Sequence, residues 1–228
     1  MTAHNSAPQL LALHAVRLQG MADADQVATR FHLDAGEVSE WLLDFEAFGW
    51  LSHAQFGATG GWTLTSRGRA QNEQQLRDEL DGIGAREVVQ DAYTEFLPFN
   101  AQLLRACTQW QLRPTAMDPL APNDHRDAAW DERVLAVLAS LGGPLRRTCT
   151  RLGSRLSRFQ GYEKRYWAAV SGAQRGEQAL VARPRADSCH TVWMELHEDL
   201  LATLGIERGA EPIEAARGTA SASGPEGQ

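Results

Sequence analysis

Lysine is almost absent from this chain: Lys164 is the only one among 228 residues, and arginine supplies the other cationic side chains. That preference reflects coding bias more than function. Cysteine is scarce too. Cys107, Cys149 and Cys189 are odd in number, far apart and without a C-x-x-C pair, which excludes a disulfide framework and a structural zinc site. Each reads as a small buried hydrophobe in a reducing compartment, so a cytoplasmic location is expected. No run of about 18 apolar residues occurs, so no membrane-spanning helix is expected. The opening MTAHNSAPQ lacks the basic n-region and cleavage site of a secretory signal. Also missing are G-x-S-x-G, a P-loop, G-x-G-x-x-G and H-E-x-x-H. The chain therefore does not read as an enzyme, and no cofactor is expected.

What is present is a segregated charge pattern. The formal net charge is -7, which disfavours a protein that coats nucleic acid over its whole surface. Residues 1–83 carry 5 Arg against 11 Asp+Glu, whereas residues 144–187 carry 10 Arg+Lys against 3 acids. The two segments are complementary, and a contact between them would favour orientation more than raw affinity.

Apolar periodicity predicts a mostly α protein with a small β element (α+β). A short helix over Pro8–Leu18 ends at Gly20. A second opens at Asp23-Ala24-Asp25 and a third at Asp34, each acid serving as an N-cap. In the third, Val38, Trp41, Leu42, Phe45 and Phe48 form an inward stripe that Gly49 ends. The period then switches to that of strands. Trp50–Phe56 and Trp62–Thr65 flank a glycine-rich turn over 57–61, and Ser66 caps a polar helix to about Leu80.

Three helices, a hairpin and a helix are the element order of a winged helix-turn-helix, here over residues 8–82. The pattern Leu33, Val38, Leu42, Phe45, Gly49, Trp50, Leu51, closing on Leu64-Thr65-Ser66-Arg67-Gly68-Arg69, resembles the MarR-type winged-helix regulators. Their third helix ends at a glycine before the wing, and the wing returns on an "LTxxG" segment. The resemblance covers about 60 residues, a quarter of the chain. It implies a transcriptional regulator that binds duplex DNA as a homodimer.

Residues 85–208 read as a helical bundle for sensing or dimerisation. One or two helices cover 85–113, with Pro98 starting or kinking one of them. A proline-rich loop spans 114–123. A helix over 127–141 is expected to break at Gly142-Gly143-Pro144 before another at about 145–160. In the latter, Leu145, Cys149, Leu152, Leu156 and Phe159 form an a/d seam, and Arg147, Arg151, Arg155 and Arg158 a solvated opposite face. Helices over 162–173 and 188–204 follow, and the tail from Gly209 is expected to be disordered.

For DNA, the expected contacts are Ser39 and Glu40 on the third helix, His53 and Gln55 on the wing, and Arg30, Arg67 and Arg69 on phosphates. No arginine or lysine lies between Phe31 and Phe56. A helix whose outward set includes Glu37, Glu40 and Asp44 repels phosphates, which supply most of the affinity. The alternative is therefore a winged-helix adaptor that regulates a partner protein without DNA. A weaker alternative is a ligand- or metal-binding bundle. Gln109, Trp110, His125, His190 and Trp193 are the speculative lining of a small-molecule effector pocket. His190 and His197, two turns apart, cannot chelate one ion without a third group such as His125, so no metal site is assigned.

Overall fold

The computed structural model describes residues 2–56, 59–184 and 186–207. Among them the chain is mostly helical with one two-stranded antiparallel sheet. The expected tail from Gly209 and the turn residues Gly57 and Ala58 lie outside the described residues.

The first half runs α1 (Pro8–Gln19), α2 (Ala24–Phe31), α3 (Ala35–Ala47), β1 (Leu51–Phe56), β2 (Thr59–Leu64) and α4 (Ser66–Gly82). Local chemistry sets these boundaries. Asp23 and Gln26 form a reciprocal capping box at α2, and Asp34 accepts from Glu37 N–H at 3.0 Å to start α3. Thr65, not Ser66, caps α4 by accepting from Gly68 N–H at 3.0 Å. The hairpin pairs Leu51 with Leu64 and His53 with Trp62. Gly60 and Gly61, expected in the turn, lie within β2, and Ala22 extends the ladder by exchanging two backbone bonds with Trp62. Leu13, Val16, Val27, Val38, Leu42 and Leu51 form the buried core of this half. Phe48 departs from its expected inward stripe: it is 51% exposed, because α3 has ended at Ala47 and the ring leans on Trp50 instead.

The second half comprises α5 (Arg86–Gln111), α6 (Ala128–Gly153), α7 (Tyr162–Gln174), the single turn α8 (Ala179–Ala182) and α9 (Cys189–Leu204). The expected break at Gly142-Gly143-Pro144 does not occur, and of the two readings of 85–113 the single helix holds. Pro98 lies inside α5 and Pro144 inside α6. The α5–α6 pair is the most extensive helix–helix packing in the molecule, and that burial outweighs one missing backbone bond per proline. Gly142 has a packing role: a Cβ there would run into the Trp167 ring. The helix expected to reach residue 160 stops at Gly153, followed by a 3-10 turn over Ser157–Phe159. The four arginines therefore share no solvated face. Arg147 is exposed, Arg151 bridges to Asp91 and Glu95 on α5, Arg155 donates to Ile83 O, and Arg158 is buried.

All three cysteines are buried in this second core. Desolvation pushes the Cys107 thiol up to about 11 and those of Cys149 and Cys189 to about 12. A thiol reacts as its thiolate, so the native protein at pH 8 is expected to resist a disulfide-exchange reagent. Labelling should proceed at the rate of unfolding; stoichiometric labelling within seconds would contradict the burial.

Candidate docking face and the cleft behind it

Helix α3 turns Val38, Leu42 and Phe45 inward and packs against α1, α2 and β1. Its opposite face, with Glu37, Ser39, Glu40, Leu43, Asp44 and Glu46, is exposed, and among the described residues nothing covers it. Leu43 is 60% exposed and Phe48, just past the end of the helix, 51%, two large apolar side chains in a segment that also exposes four acids. Ser39 returns its hydroxyl to Ala35 O at 2.8 Å, the usual alternative to an outside partner for a mid-helix serine. On the hairpin, His53 and Gln55 are exposed, and His53 sits edge-on to Trp62 at 5.0 Å.

The basic residues expected beside this face have mostly been drawn away from it. The Arg30 side chain is 7% exposed and bonds Glu195 through Nε at 3.1 Å. Its guanidinium lies between the rings of Phe31 and Tyr162, 4.5 and 4.6 Å from their centroids. Arg30 is therefore not available to the phosphates of a duplex in this structure. Arg69 is half-exposed, with Nη1 3.4 Å from Glu198. Arg67 is exposed, and among the described residues no hydrogen bond or ion pair engages it.

Behind the face, the two halves meet along α9. Its acids receive one cation cluster each. Glu195 takes Arg30 and Arg165; Glu198 takes Arg17 at 2.8 Å and Arg69. Asp199, with no exposed side-chain surface, accepts from Arg158 Nη1, from Tyr162 Oη at 3.0 Å and from the Thr203 hydroxyl at 3.2 Å, and meets His14 Nε2 at 3.1 Å. The far nitrogen of His14 meets Asn72 of α4 at 3.1 Å, and Arg158 also reaches Glu79 of α4. Burial alone would raise the Asp199 carboxyl, yet Arg158 first, then His14 and Arg30, hold it well below the usual carboxylate range. Leu10, Leu76 and Ala202 form a small apolar cluster at the same junction.

A cavity of about 1020 Å³ opens between α2 and α7, and another of about 830 Å³ between the end of α1 and α9. The five residues expected to line one effector pocket do not meet in either. His190 lines the smaller cavity, where burial lowers its imidazole below the ordinary value. Trp193 is wholly buried against Phe96 and Tyr166. Trp110, in the last turn of α5, faces His125 of the α5–α6 loop at 4.7 Å. There Asp131 holds His125 Nδ1 at 2.8 Å, Asn123 donates to Trp110 O and Asp131, and the Trp130 indole donates to Gln109 O. These bonds staple two helix ends together. His197 is buried beside Phe96, and among the described residues no group of three or more His, Cys, Asp or Glu could hold a metal ion. No described helix is long and apolar enough to cross a membrane.

The seam residues were not singled out in sequence as a group. The one available signal was the run of three acids within five positions on α9, Glu195, Glu198 and Asp199, amid buried apolar residues. No protein-family model, curated protein or solved structure matches this chain, so its chemistry is read from geometry.

Proposed function

We propose that this chain is a regulatory adaptor: a winged helix-turn-helix module held on a helical bundle, which docks a partner protein through α3. The observation that carries this reading is the composition of the exposed α3 face. Leu43 and Phe48, both more than half exposed, stand among Glu37, Glu40, Asp44 and Glu46. Such a face complements an apolar surface ringed by arginine or lysine, and it repels phosphates. Duplex DNA is the second reading. It is favoured by the open approach to α3 and the hairpin and by the unengaged Arg67, and in it Ser39, Glu40, His53, Gln55, Arg67 and Arg69 would meet the duplex. A homodimer would bring two such faces together in either reading.

The two readings separate in one pair of measurements. Duplex fragments from upstream of the gene, titrated by anisotropy at low and moderate salt, are expected to show no saturable binding. The wild-type chain is expected to retain a defined partner that Leu43→Glu with Phe48→Glu loses, by roughly 30-fold or more in affinity. Thermal stability should hold, because both side chains are already in water. Duplex binding that weakens steeply with salt and is reduced by Arg67→Ala would replace the adaptor with the DNA reader.

A further inference from the structure

We infer that the partner docked by α3 is a second copy of this chain, held through the outer face of α6 and α7 in a reciprocal pair. This rests on the docking reading and names the occupant of that site. What points to it is a set of charges that the fold leaves over.

Between Pro144 and Gln174 the chain carries seven cations and a single acid, Glu163. Four of the cations are engaged inside the molecule. Arg151 meets Asp91 and Glu95, Arg155 donates to Ile83 O, Arg158 meets Asp199, and Arg165 meets Asp187 and Glu195. The other three, Arg146, Arg147 and Lys164, are exposed, and among the described residues no ion pair or hydrogen bond engages their side chains. Arg146 stands one turn beyond Gly142 on α6, and Lys164 one turn before Trp167 on α7, so each shares a helix face with that neighbour. The Trp167 ring lies against Gly142, where any Cβ would collide with it, and is still 38% exposed. The two helices therefore present an aromatic ring flanked by unpaired cations.

Helix α3 presents the opposite. Leu43 and Phe48 are exposed, and Glu37, Glu40, Asp44 and Glu46 make no side-chain ion pair among the described residues. The two faces lie in different halves: α3 packs on α1, α2 and β1, whereas α6 packs on α5 and α7. Their complementarity is therefore not satisfied within one chain, and between copies it can be. Apolar groups would meet apolar groups inside a rim of opposite charges, and tryptophan and arginine are side chains on which interface energy concentrates. In a two-fold pair the contact occurs twice, each copy giving one α3 and one α6–α7 face.

The test is the mass of the full chain in solution, by light scattering at micromolar concentration and low salt, where a dimer is expected. Glu40→Arg with Asp44→Arg should weaken it by roughly 30-fold or more, and Arg146→Glu with Arg147→Glu should do the same. An equimolar mixture of the two variants should return to the dimer mass, because one of its contacts is then wild type and the other has both charges exchanged. All four positions are exposed, so helix content by circular dichroism should be unchanged. A monomeric wild type, a dimer that either variant leaves intact, or a mixture that stays monomeric would each overturn the self-contact. A monomeric wild type whose foreign protein partner is still lost with Leu43→Glu and Phe48→Glu would overturn it while the docking reading stands. Saturable duplex binding weakened by Arg67→Ala would overturn the docking reading itself.

Discussion

Asp199→Asn is expected to cost about 3–5 kcal/mol of unfolding free energy, the usual range for breaking a buried ion pair while leaving its partner in place. For a chain of this size that lowers the melting temperature by roughly 10 °C or more. The substitution keeps the shape and removes the charge. Arg158, with no exposed side-chain surface, would be left with Glu79 at 3.4 Å as its remaining carboxylate, and the bonds from Tyr162 and His14 would lose their ionised acceptor. Because His14 belongs to α1, Asn72 and Glu79 to α4, and Asp199 to α9, the loss should loosen the junction before either core. Tryptic cleavage between the halves should appear at denaturant concentrations where the wild type is still intact. Arg158→Met combined with Asp199→Leu should cost clearly less than the sum of the singles, since neither charge is then stranded. A cost below about 1 kcal/mol for Asp199→Asn would show that the seam does not hold the halves together.

The same residue sets an acid dependence of known sign. The Asp199 carboxyl is depressed in the folded protein, so the folded state binds a proton there less readily than the unfolded chain. Its contribution to stability is present above the ordinary aspartate value, about 3.9, and is lost as the pH falls from there toward the depressed one. Urea midpoints of the wild type and Asp199→Asn should therefore differ most near pH 7 and converge toward pH 2. A gap that stays constant over that range would assign the variant's effect to packing, not charge.

Gly68→Ala should cost on the order of 3 kcal/mol, at the upper end for an overpacked site. A Cβ at Gly68 would overlap the Trp50 carbonyl and come within 2.9 Å of Leu64 Cδ2. The neighbour here is backbone, which cannot rotate aside. Thr65 tightens the same crossing, donating its hydroxyl to Gly49 O at 2.7 Å and its N–H to Trp50 O at 3.0 Å. The hairpin would have to lift off α4, exposing Trp50 and Trp62 and shifting tryptophan emission to the red. Gly82→Ala in the same helix is the control. Nothing lies within 4 Å of a Cβ there, so the better helix former should be neutral or stabilise by up to about 1 kcal/mol. Equal effects from the two substitutions would refute the close approach as the cause.

Local chemistry made the first half legible. The Asp23 and Asp34 caps, the buried Val38, Leu42 and Phe45, the change of period after Gly49 and the glycine three residues beyond Thr65 each act within a few positions. Gly142-Gly143-Pro144 misled because the cost of a proline is also local, whereas the burial that overrides it, along α5 and α6, is not. Gly142 looked like a helix end and proved to be room for Trp167, a ring 25 positions away in sequence.

By itself, then, the chain determined the helices of its first half, its hairpin and the acidic character of α3, since capping, periodicity and charge are properties of neighbouring residues. Only tertiary structure decided where the charges went. Net balance suggested an acidic first half meeting a basic segment, and Arg158 with Glu79 does so. Most of the seam runs the other way: Arg17, Arg30 and Arg69 come from the acidic half and meet the acids of α9. Segment totals could not foresee this. Desolvation acts on individual buried groups, each of which must find its own partner whatever charge surrounds it in sequence.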